Sequence, residues 1–443
     1  MVELDKGDLS KHIFDLSLPM VIGNLFINII STVELYLIGT IGLEALAAIS
    51  IINSSIVAFY LSIHGGLING AITMISRYAG RKDYDLANKS LAQMLLFSVF
   101  VFGFYFLIVY FFKQNILIFF GAKNNVLHFA SAYIDILCLS FISISLYSVF
   151  LGVLRGAGDS LTPLKLVIIC YVFIGILNLI FIKFFKFGLK GAALSNLISF
   201  SIATIIYILI FIKGIHFFKL KLKYFLPDFN ILKTYNSLTI KAISQGFLND
   251  LGAMAMLKMM AGFGNEFIAA YGIVLRLVYF VQMFGWPIGN SGGVIVGHNI
   301  GAGDLKRARQ AVIEGIKIYS YIIFVAVIVF LLFTKPIIQL FTADNQVINY
   351  SNYFLRLLSF SLPVLCVGLI IQSGFNGAGV MGTSALVIFV SYILFRIPAA
   401  YIFMNFTPLK EFGIYWAIAI SVFVNSILFW ILFERDEWLK KKI

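Results

Sequence analysis

Charge is what this sequence lacks most. Only 12% of its 443 residues are Asp, Glu, Lys or Arg, about half the share of a soluble domain. A chain this poor in charge cannot coat a globular surface with solvated groups. That excludes a cytosolic enzyme, a disordered chain and a nucleic-acid module. Cysteine is scarce as well. Cys138, Cys170 and Cys366 lie inside apolar runs with no C-x-x-C and no metal spacing to the histidines, and they read as small core residues. No G-x-x-x-x-G-K-[ST] loop occurs, so no ATPase is expected. No D-x-x-x-D pair lies in any apolar run, which argues against a Mg²⁺-dependent membrane enzyme such as a prenyltransferase. A cleavable leader is not expected either, because the charged start runs into an apolar stretch too long for one. The chain reads as no enzyme, with no cofactor and no metal.

What is abundant is hydrocarbon. Hydrophobic residues make up 61% of the chain, and the mean hydropathy is +0.98. A spanning helix needs about 20 mostly apolar residues. Twelve runs qualify, at about 14–38, 45–75, 91–112, 127–154, 163–184, 191–212, 238–261, 267–297, 312–334, 348–375, 384–405 and 413–433. The short alternating segments of a membrane barrel are missing. The fold class is therefore an all-α polytopic membrane protein of twelve transmembrane helices. The run 267–297 contains Gly285, Trp286, Pro287 and Gly289, where a break is expected.

The net charge of +13 then has a topological meaning. With the amino terminus inside, the inner loops hold Arg77, Arg81, Lys82 and Lys89, then Arg155 and Lys165, then Lys219, Lys221, Lys223 and Lys233, then Lys306, Arg307 and Arg309, and last Arg435, Lys440, Lys441 and Lys442. The outer loops hold few, among them Lys113, Lys123 and Lys410. The positive-inside rule puts both termini in the cytoplasm of a cell (plasma or inner) membrane. The longest connection, 213–237, is basic and aromatic. It is either a hinge that also touches anionic lipid or an ordinary cytoplasmic linker.

The chain also repeats itself. At an offset of 221, Gly80 meets Gly301, Asp83 meets Asp304, Ala87 meets Ala308, Ser140 meets Ser361 and Thr162 meets Thr383. Arg155-Gly156-Ala157-Gly158 meets Asn376-Gly377-Ala378-Gly379. Earlier, Gly42-x-Glu44-x-x-Ala47-Ala48 meets Gly264-x-Glu266-x-x-Ala269-Ala270 at an offset of 222, which implies one inserted residue. An ordered set of this length marks a duplication. We expect two homologous six-helix bundles, 1–212 and 238–443, joined by the linker 213–237. Six is even, so the halves share one topology about an axis along the membrane normal, the pattern of transporters that bind between halves.

Particular motifs carry a resemblance. Leu18-Pro19 opens the first span. Thr32-Val33-Glu34-Leu35-Tyr36-Leu37-Ile38-Gly39 leads into Gly42-x-x-Ala45-Leu46-Ala47-Ala48. Ser76-Arg77-Tyr78-Ala79-Gly80-x-x-Asp83 follows the second span, Gly297-His298-Asn299-Ile300-Gly301-Ala302-Gly303-Asp304 the eighth, and Leu154-Arg155-Gly156-Ala157-Gly158-Asp159-Ser160 the fourth. Over nearly its whole length the chain resembles the multidrug and toxic compound extrusion (MATE) family of cation-coupled antiporters. The resemblance implies two six-helix bundles in a V shape. It also implies export of amphipathic, often cationic organic compounds in exchange for H⁺ or Na⁺. The family's usual first-span Asp is Glu34 here, and its fifth-span Asn is Asn178, but the acid expected four residues later is replaced by Ile182. Partners are expected to be small amphipathic substrates and membrane lipid, with no nucleic acid, and the chain is expected to act as a monomer. The competing expectation is a flippase of lipid-linked sugars from the same superfamily.

A charge at the bilayer centre costs roughly 2.5–3.5 kcal/mol on insertion scales, so each one needs a reason. Asn24, Asn28, Ser31 and Glu34, spaced four, three and three, form a stripe along the first span. Glu34 is either the group that takes and releases a coupling proton or a fixed interhelical hydrogen bond. The ion-coupling candidates are Glu34, Asn178 and Asp250. Gln245, Asn249 and Arg276, with Asn28 and Ser31, are candidates to line a substrate cleft. Arg396 reads as structural, His64 as a satisfied core histidine, and Asp135 with Arg356 as either an outer gate or two solvated interfacial residues. Each Gly-x-Gly piece reads as a tight turn in which Gly takes a positive φ without strain.

Overall fold

A computed structural model describes residues 4–440; Lys441 and Lys442 lie outside the described residues. Twelve long helices follow one another: α1 (Leu9–Gly39), α2 (Leu43–Arg81), α3 (Tyr84–Phe119), α4 (Asn124–Gly156), α5 (Leu161–Phe184), α6 (Leu189–Lys213), α7 (Phe229–Met260), α8 (Asn265–Ala302), α9 (Leu305–Gln339), α10 (Asn345–Gly377), α11 (Met381–Phe406) and α12 (Phe412–Glu434). Among the described residues no strand forms, and one isolated bridge pairs Ile215 with Phe218. Eleven of the twelve helices are long and apolar enough to cross a membrane. The other is α7, diluted by Lys233, Lys241, Gln245, Asn249, Asp250 and Lys258. Large apolar side chains cover the outer faces, Phe100, Phe111 and Phe119 being 73%, 72% and 85% exposed. A surface of that kind is suited to acyl chains and unsuited to water.

Local chemistry sets the helix ends, and it repeats. Lys82 (φ 60°) ends α2 and Gly303 (φ 88°) ends α8, both in the left-handed region and at equivalent positions in the repeat. Directly afterwards, Asp83 accepts from the Leu86 amide (3.1 Å) and Asp304 from the Arg307 amide (2.9 Å), capping α3 and α9. The Gly-x-Gly turns divide their labour. The last glycine of each supplies the turn, with φ of 85° at Gly158 and 76° at Gly379. The first glycine allows close helix approach. A Cβ on Gly156 would lie 2.9 Å from the Ile72 carbonyl oxygen, and one on Gly377 would lie 2.0 Å from that of Gly293.

The expected break at Gly285–Gly289 does not occur: α8 runs unbroken through Pro287. The glycines there admit neighbours instead. The Tyr319 ring of α9 lies over Gly285, and Ser373 of α10 lies against Gly289. The departure from helical geometry falls in α9, at Phe333. In the second run, a π-helical turn at Asn53–Val57 interrupts α2.

The chain divides into two compact units. One holds Leu18–Ile243; the other holds residues 4–17 and 244–440 among those described. In the first, α4 is the most buried span and packs against α2, α3 and α6. In the second its repeat equivalent, α10, is the most buried and packs against α8, α9 and α12.

The basic linker is strapped onto the first unit. Gln93 donates to the carbonyls of Tyr224 (2.7 Å) and Leu226 (2.8 Å) and accepts from the Asp228 amide (3.0 Å). Lys89 pairs with Asp228 at 2.6 Å, and Asp159 pairs with His216 at 2.8 Å. Burial works against the charge of Asp159, yet donation by His216 and Thr162 outweighs it and holds that carboxyl below the ordinary carboxylate range. The second unit holds the amino-terminal segment in a similar way. Asn299 donates to the Leu4 carbonyl (3.3 Å), Arg307 to that of Gly7 (2.9 Å), and Ser10 to Glu314 (3.3 Å). Glu314 is the repeat equivalent of Gln93.

The glycine contacts predict an asymmetric result. Gly377→Ala should lower the unfolding temperature of the purified protein by several degrees, since overpacking of this kind costs about 1–3 kcal/mol. Gly103→Ala, with open space around the glycine, should be neutral or slightly stabilising in the same melting assay.

Candidate functional site

Inside the first unit lies a chamber of about 580 Å³, walled by α1, α2, α4, α5 and α6. The α1 wall is the polar stripe Asn24, Asn28, Ser31 and Glu34. The α4 wall is Tyr133, Leu137, Phe141, Ile144, Tyr147, Leu151 and Arg155. Its spacings of three and four keep these side chains on one face of the helix. From Tyr133 to Arg155 is twenty-two residues, about 33 Å at 1.5 Å per residue. The α2 wall adds Asn53, Val57, Tyr60 and His64, and the π-helical turn at Asn53–Val57 brings both its end residues to the chamber. An inserted turn of that type often marks a functional position.

Glu34 sits at the Tyr133 end, with Tyr133 and Tyr171 beside it. Its Oε1 accepts from Nδ2 of Asn196 on α6 at 3.1 Å, and Asn196 is itself anchored to the Ala192 carbonyl at 3.1 Å. No Lys, Arg or His among the described residues pairs with Glu34. Asn178, on α5 immediately before a second π-helical turn, is fully buried, and neither atom of its amide has a hydrogen-bond partner among the described residues. It lies next to Glu34. A half-buried carboxyl, an anchored amide and a fully buried amide are thus gathered from three helices.

Farther along, His64 Nδ1 meets Ser148 Oγ at 2.5 Å, and the imidazole stacks with Tyr60 at 5.8 Å. At the far end stands Arg155. The loop position expected for it from charge counting is incomplete, since its side chain borders the chamber. Among the lining residues Glu34 is the sole acid and Arg155 the sole arginine.

The remaining candidates do not line this chamber, and all but Asp135 lie in the second unit. Gln245 is buried in an amide cluster, donating to Asn376 Oδ1 and to the Met381 carbonyl, both at 3.1 Å, and accepting from Gln372 at 3.0 Å. Asp250 and Arg276 are exposed on α7 and α8, with Asn249 half-buried beside Asp250. Arg396 lies over the Tyr392 ring, 3.7 Å from its centroid, and donates to Ser421 at 2.6 Å. Asp135 pairs with Lys113. Arg356 instead borders an aromatic hollow of about 720 Å³ with Tyr350, Tyr353, Phe360, Phe412 and Trp416. That hollow is larger than the chamber but has no carboxylate on its wall, so the chamber is the stronger candidate.

Sequence reasoning missed Asn196, Tyr133 and Tyr171. They are ordinary residues on separate helices, and only packing brings them to Glu34. For Tyr133 the one available signal was its place in the 3–4 spacing of α4, which apolar residues and serines spread around the rest of that helix conceal.

The unsatisfied Asn178 amide yields a test. Asn178→Leu should raise the melting temperature of the purified protein, since an unpaired buried polar group costs about 1–3 kcal/mol. The same variant should lose most gradient-driven transport in vesicles if the amide serves the ion step.

A family model described as MatE matches residues 19–180 and again residues 242–402, one match in each repeat. Over 438 residues the chain is 25% identical to "Probable multidrug resistance protein YoeA" of Bacillus subtilis (strain 168), covering 96% of this chain and 93% of that protein. Over 429 residues it is 27% identical to "Multidrug export protein MepA" of Staphylococcus aureus (strain N315), covering 94% and 92%. Its fold is that of a MOP superfamily transporter from Pyrococcus furiosus Vc1, with a TM-score of 0.92 at 23% identity over 99% of this chain and 98% of that one. A multidrug resistance MATE family transporter in an outward-facing conformation superposes with a TM-score of 0.91 at 23% identity, over 100% and 99% of the two chains. Helices, duplication and both matched stretches agree, and the chain belongs to the MATE family of multi-pass membrane transporters.

Proposed function

We propose that the chain is a secondary antiporter that exports amphipathic, often cationic organic compounds in exchange for protons, with Glu34 as the coupling group. The single observation that carries this reading is the setting of Glu34: one carboxyl on a chamber wall, held by Asn196 and paired with no cation among the described residues. A carboxyl held out of water favours its neutral form and gives up its proton when water or a cation reaches it. A proton needs only that one carboxyl, whereas a hard metal cation needs a shell of several oxygens. The aromatic wall supports the substrate class, because ring faces attract organic cations. The names of the curated relatives point the same way.

Coupling follows from linkage. A compound that binds the deprotonated chamber better must weaken proton binding by the same factor. Protonation from one side of the membrane and release to the other would then drive alternating access. Exchange of a monovalent cation for one proton moves no net charge, so each unit of pH difference drives it by about 1.4 kcal/mol, a tenfold concentration ratio; the membrane potential adds to this where the exported compound carries less charge than the protons that enter. By the charge of its loops the chain places both termini in the cytoplasm, which puts the Arg155 end of the chamber toward the cytoplasm and Glu34 toward the outside. A flippase of lipid-linked sugars is disfavoured, since a pyrophosphate calls for several cations and the chamber wall offers one arginine and one histidine.

Transport in proteoliposomes with H⁺ and Na⁺ gradients imposed separately tests the reading. Efflux of a cationic dye should follow the proton gradient and ignore the sodium gradient; the reverse result would replace the proton by Na⁺. Glu34→Gln, fixed in the neutral form, should bind the dye more weakly in detergent than the wild type does at high pH, with a Kd that no longer changes with pH, while gradient-driven export falls to background. Full export by that variant would remove Glu34 from the mechanism.

A further inference from the structure

The far end of the chamber holds a charge that the proton step does not use. Arg155, in the last turn of α4, makes no side-chain hydrogen bond or ion pair to any described residue, and its Nε is buried without a partner. The acid best placed by sequence to neutralise it, Asp159, is one turn on, but Asp159 is occupied by His216 Nε2 (2.8 Å) and by the amides of Leu161 (3.0 Å) and Thr162 (2.9 Å). Glu34 is at the other end of the same wall, about 33 Å away along α4. Tyr147 shares the chamber wall with Arg155, and Tyr207 packs behind that wall against Tyr147 and Phe150. Tyr207 is fully buried, clamped between Phe150 (5.5 Å, stacked) and Tyr147 (5.4 Å, edge-on), and its hydroxyl has no hydrogen-bond partner among the described residues.

The duplication supplies an internal comparison. The repeat equivalent of Arg155 is Asn376, and Asn376 is neutral and engaged on both sides of its amide by Gln245 (3.1 and 3.2 Å). The equivalent of Tyr147 is Gly368; in the last span, where Gly191 packed on Phe181 matches Gly413 packed on Phe403 at an offset of 222, the equivalent of Tyr207 is Phe429, which has no hydroxyl. The second unit therefore needs nothing at this place, whereas the first presents a guanidinium and a hydroxyl with no internal acceptor. Arg155 is half-buried on the chamber wall, so the donors that no protein group takes are left to whatever occupies the chamber. A planar fork of donors matches a carboxylate, phosphonate or phosphate.

We infer that Arg155, Tyr147 and Tyr207 form an oxyanion subsite at the end of the chamber, which takes the acidic group of a zwitterionic or anionic amphiphile. This deepens the export reading and rests on it: substrates would include compounds whose acid is bound by Arg155 while their aromatic body lies along α4. The oxyanion can belong to the transported compound or to the headgroup of an anionic lipid, since the chemistry is shared.

The test uses two dyes that differ at one group, rhodamine 110 with a free carboxylate and rhodamine 123 with the same carboxylate as its methyl ester. Binding is followed by fluorescence anisotropy, with the full-length protein in phosphatidylcholine nanodiscs. The readout is the ratio of the rhodamine 110 Kd to the rhodamine 123 Kd. Arg155→Gln should raise that ratio at least tenfold, Arg155→Lys should restore part of it, and Tyr207→Phe should raise it about threefold. An experiment on the wild-type protein does not depend on the variants folding: benzoate should displace rhodamine 110 and leave rhodamine 123 bound. Replacing half the lipid with phosphatidylglycerol separates the sources. Competition with rhodamine 110 that disappears in Arg155→Gln assigns the subsite to a headgroup, and no competition assigns it to the substrate's own acid. A ratio that stays within twofold in Arg155→Gln, or benzoate that displaces neither dye from the wild type, overturns the subsite. Failure of the wild type to bind or export rhodamine 123 would instead overturn the export reading.

Discussion

A carboxyl group at membrane depth constrains the first unit of this protein more than any other single feature. Hydrocarbon offers Glu34 no water and no counter-ion, so its surroundings must be built from the protein itself. Asn196 supplies a donor from α6, Asn178 an open amide from α5, and Tyr133 and Tyr171 the nearest phenols. Three helices beyond α1 must therefore hold their registers relative to one side chain. π-helical turns lie in α2 at Asn53–Val57 and at the end of α5 directly after Asn178, and another lies in α11 at Phe389–Arg396 of the second unit.

The second half of the duplication shows what happens when that constraint is lifted. At the position of Glu34, counted with the offset of 222, stands Met256, fully buried. At the position of Arg155 stands Asn376, satisfied within an amide cluster. The shared parts of the two repeats are the scaffold: the helix-ending left-handed residue, the aspartate cap after it, and the first glycine of each Gly-x-Gly turn packed on a neighbouring backbone. The parts that differ are polar groups on chamber walls. Duplication preserved the way helices are joined and allowed their inner surfaces to diverge.

Each unit also binds a segment that precedes a run of spans. The linker is fastened to the first unit through Asn88, Lys89 and Gln93, and residues 4–17 to the second through Asn299, Arg307 and Glu314. Gln93 and Glu314 are equivalent in the repeat, so one position performs the same fastening in both units with two different side chains. Several side chains of the linker, among them Lys219, Lys221, Leu222 and Leu226, are exposed, while its carbonyls at Phe217, Tyr224 and Leu226 are taken by side chains of α3.

Hydropathy and the repeat were enough to determine the helical class, the approximate spans, the duplication and the polar stripe ending at Glu34, because these depend on local composition and on spacing along one helix. The turn role of Gly158, Gly303 and Gly379 was legible for the same reason. Other features depended on neighbours distant in the chain. Pro287 does not break α8, because the glycines around it are used for close packing by Tyr319 and Ser373. Asn196 reaches Glu34 across 162 positions of chain. Arg155 counts as one more loop cation until its acid neighbour Asp159 is found taken by His216 in the linker. Which buried polar group is satisfied and which is left open is a property of packing in three dimensions, and no pattern along a single helix carries it.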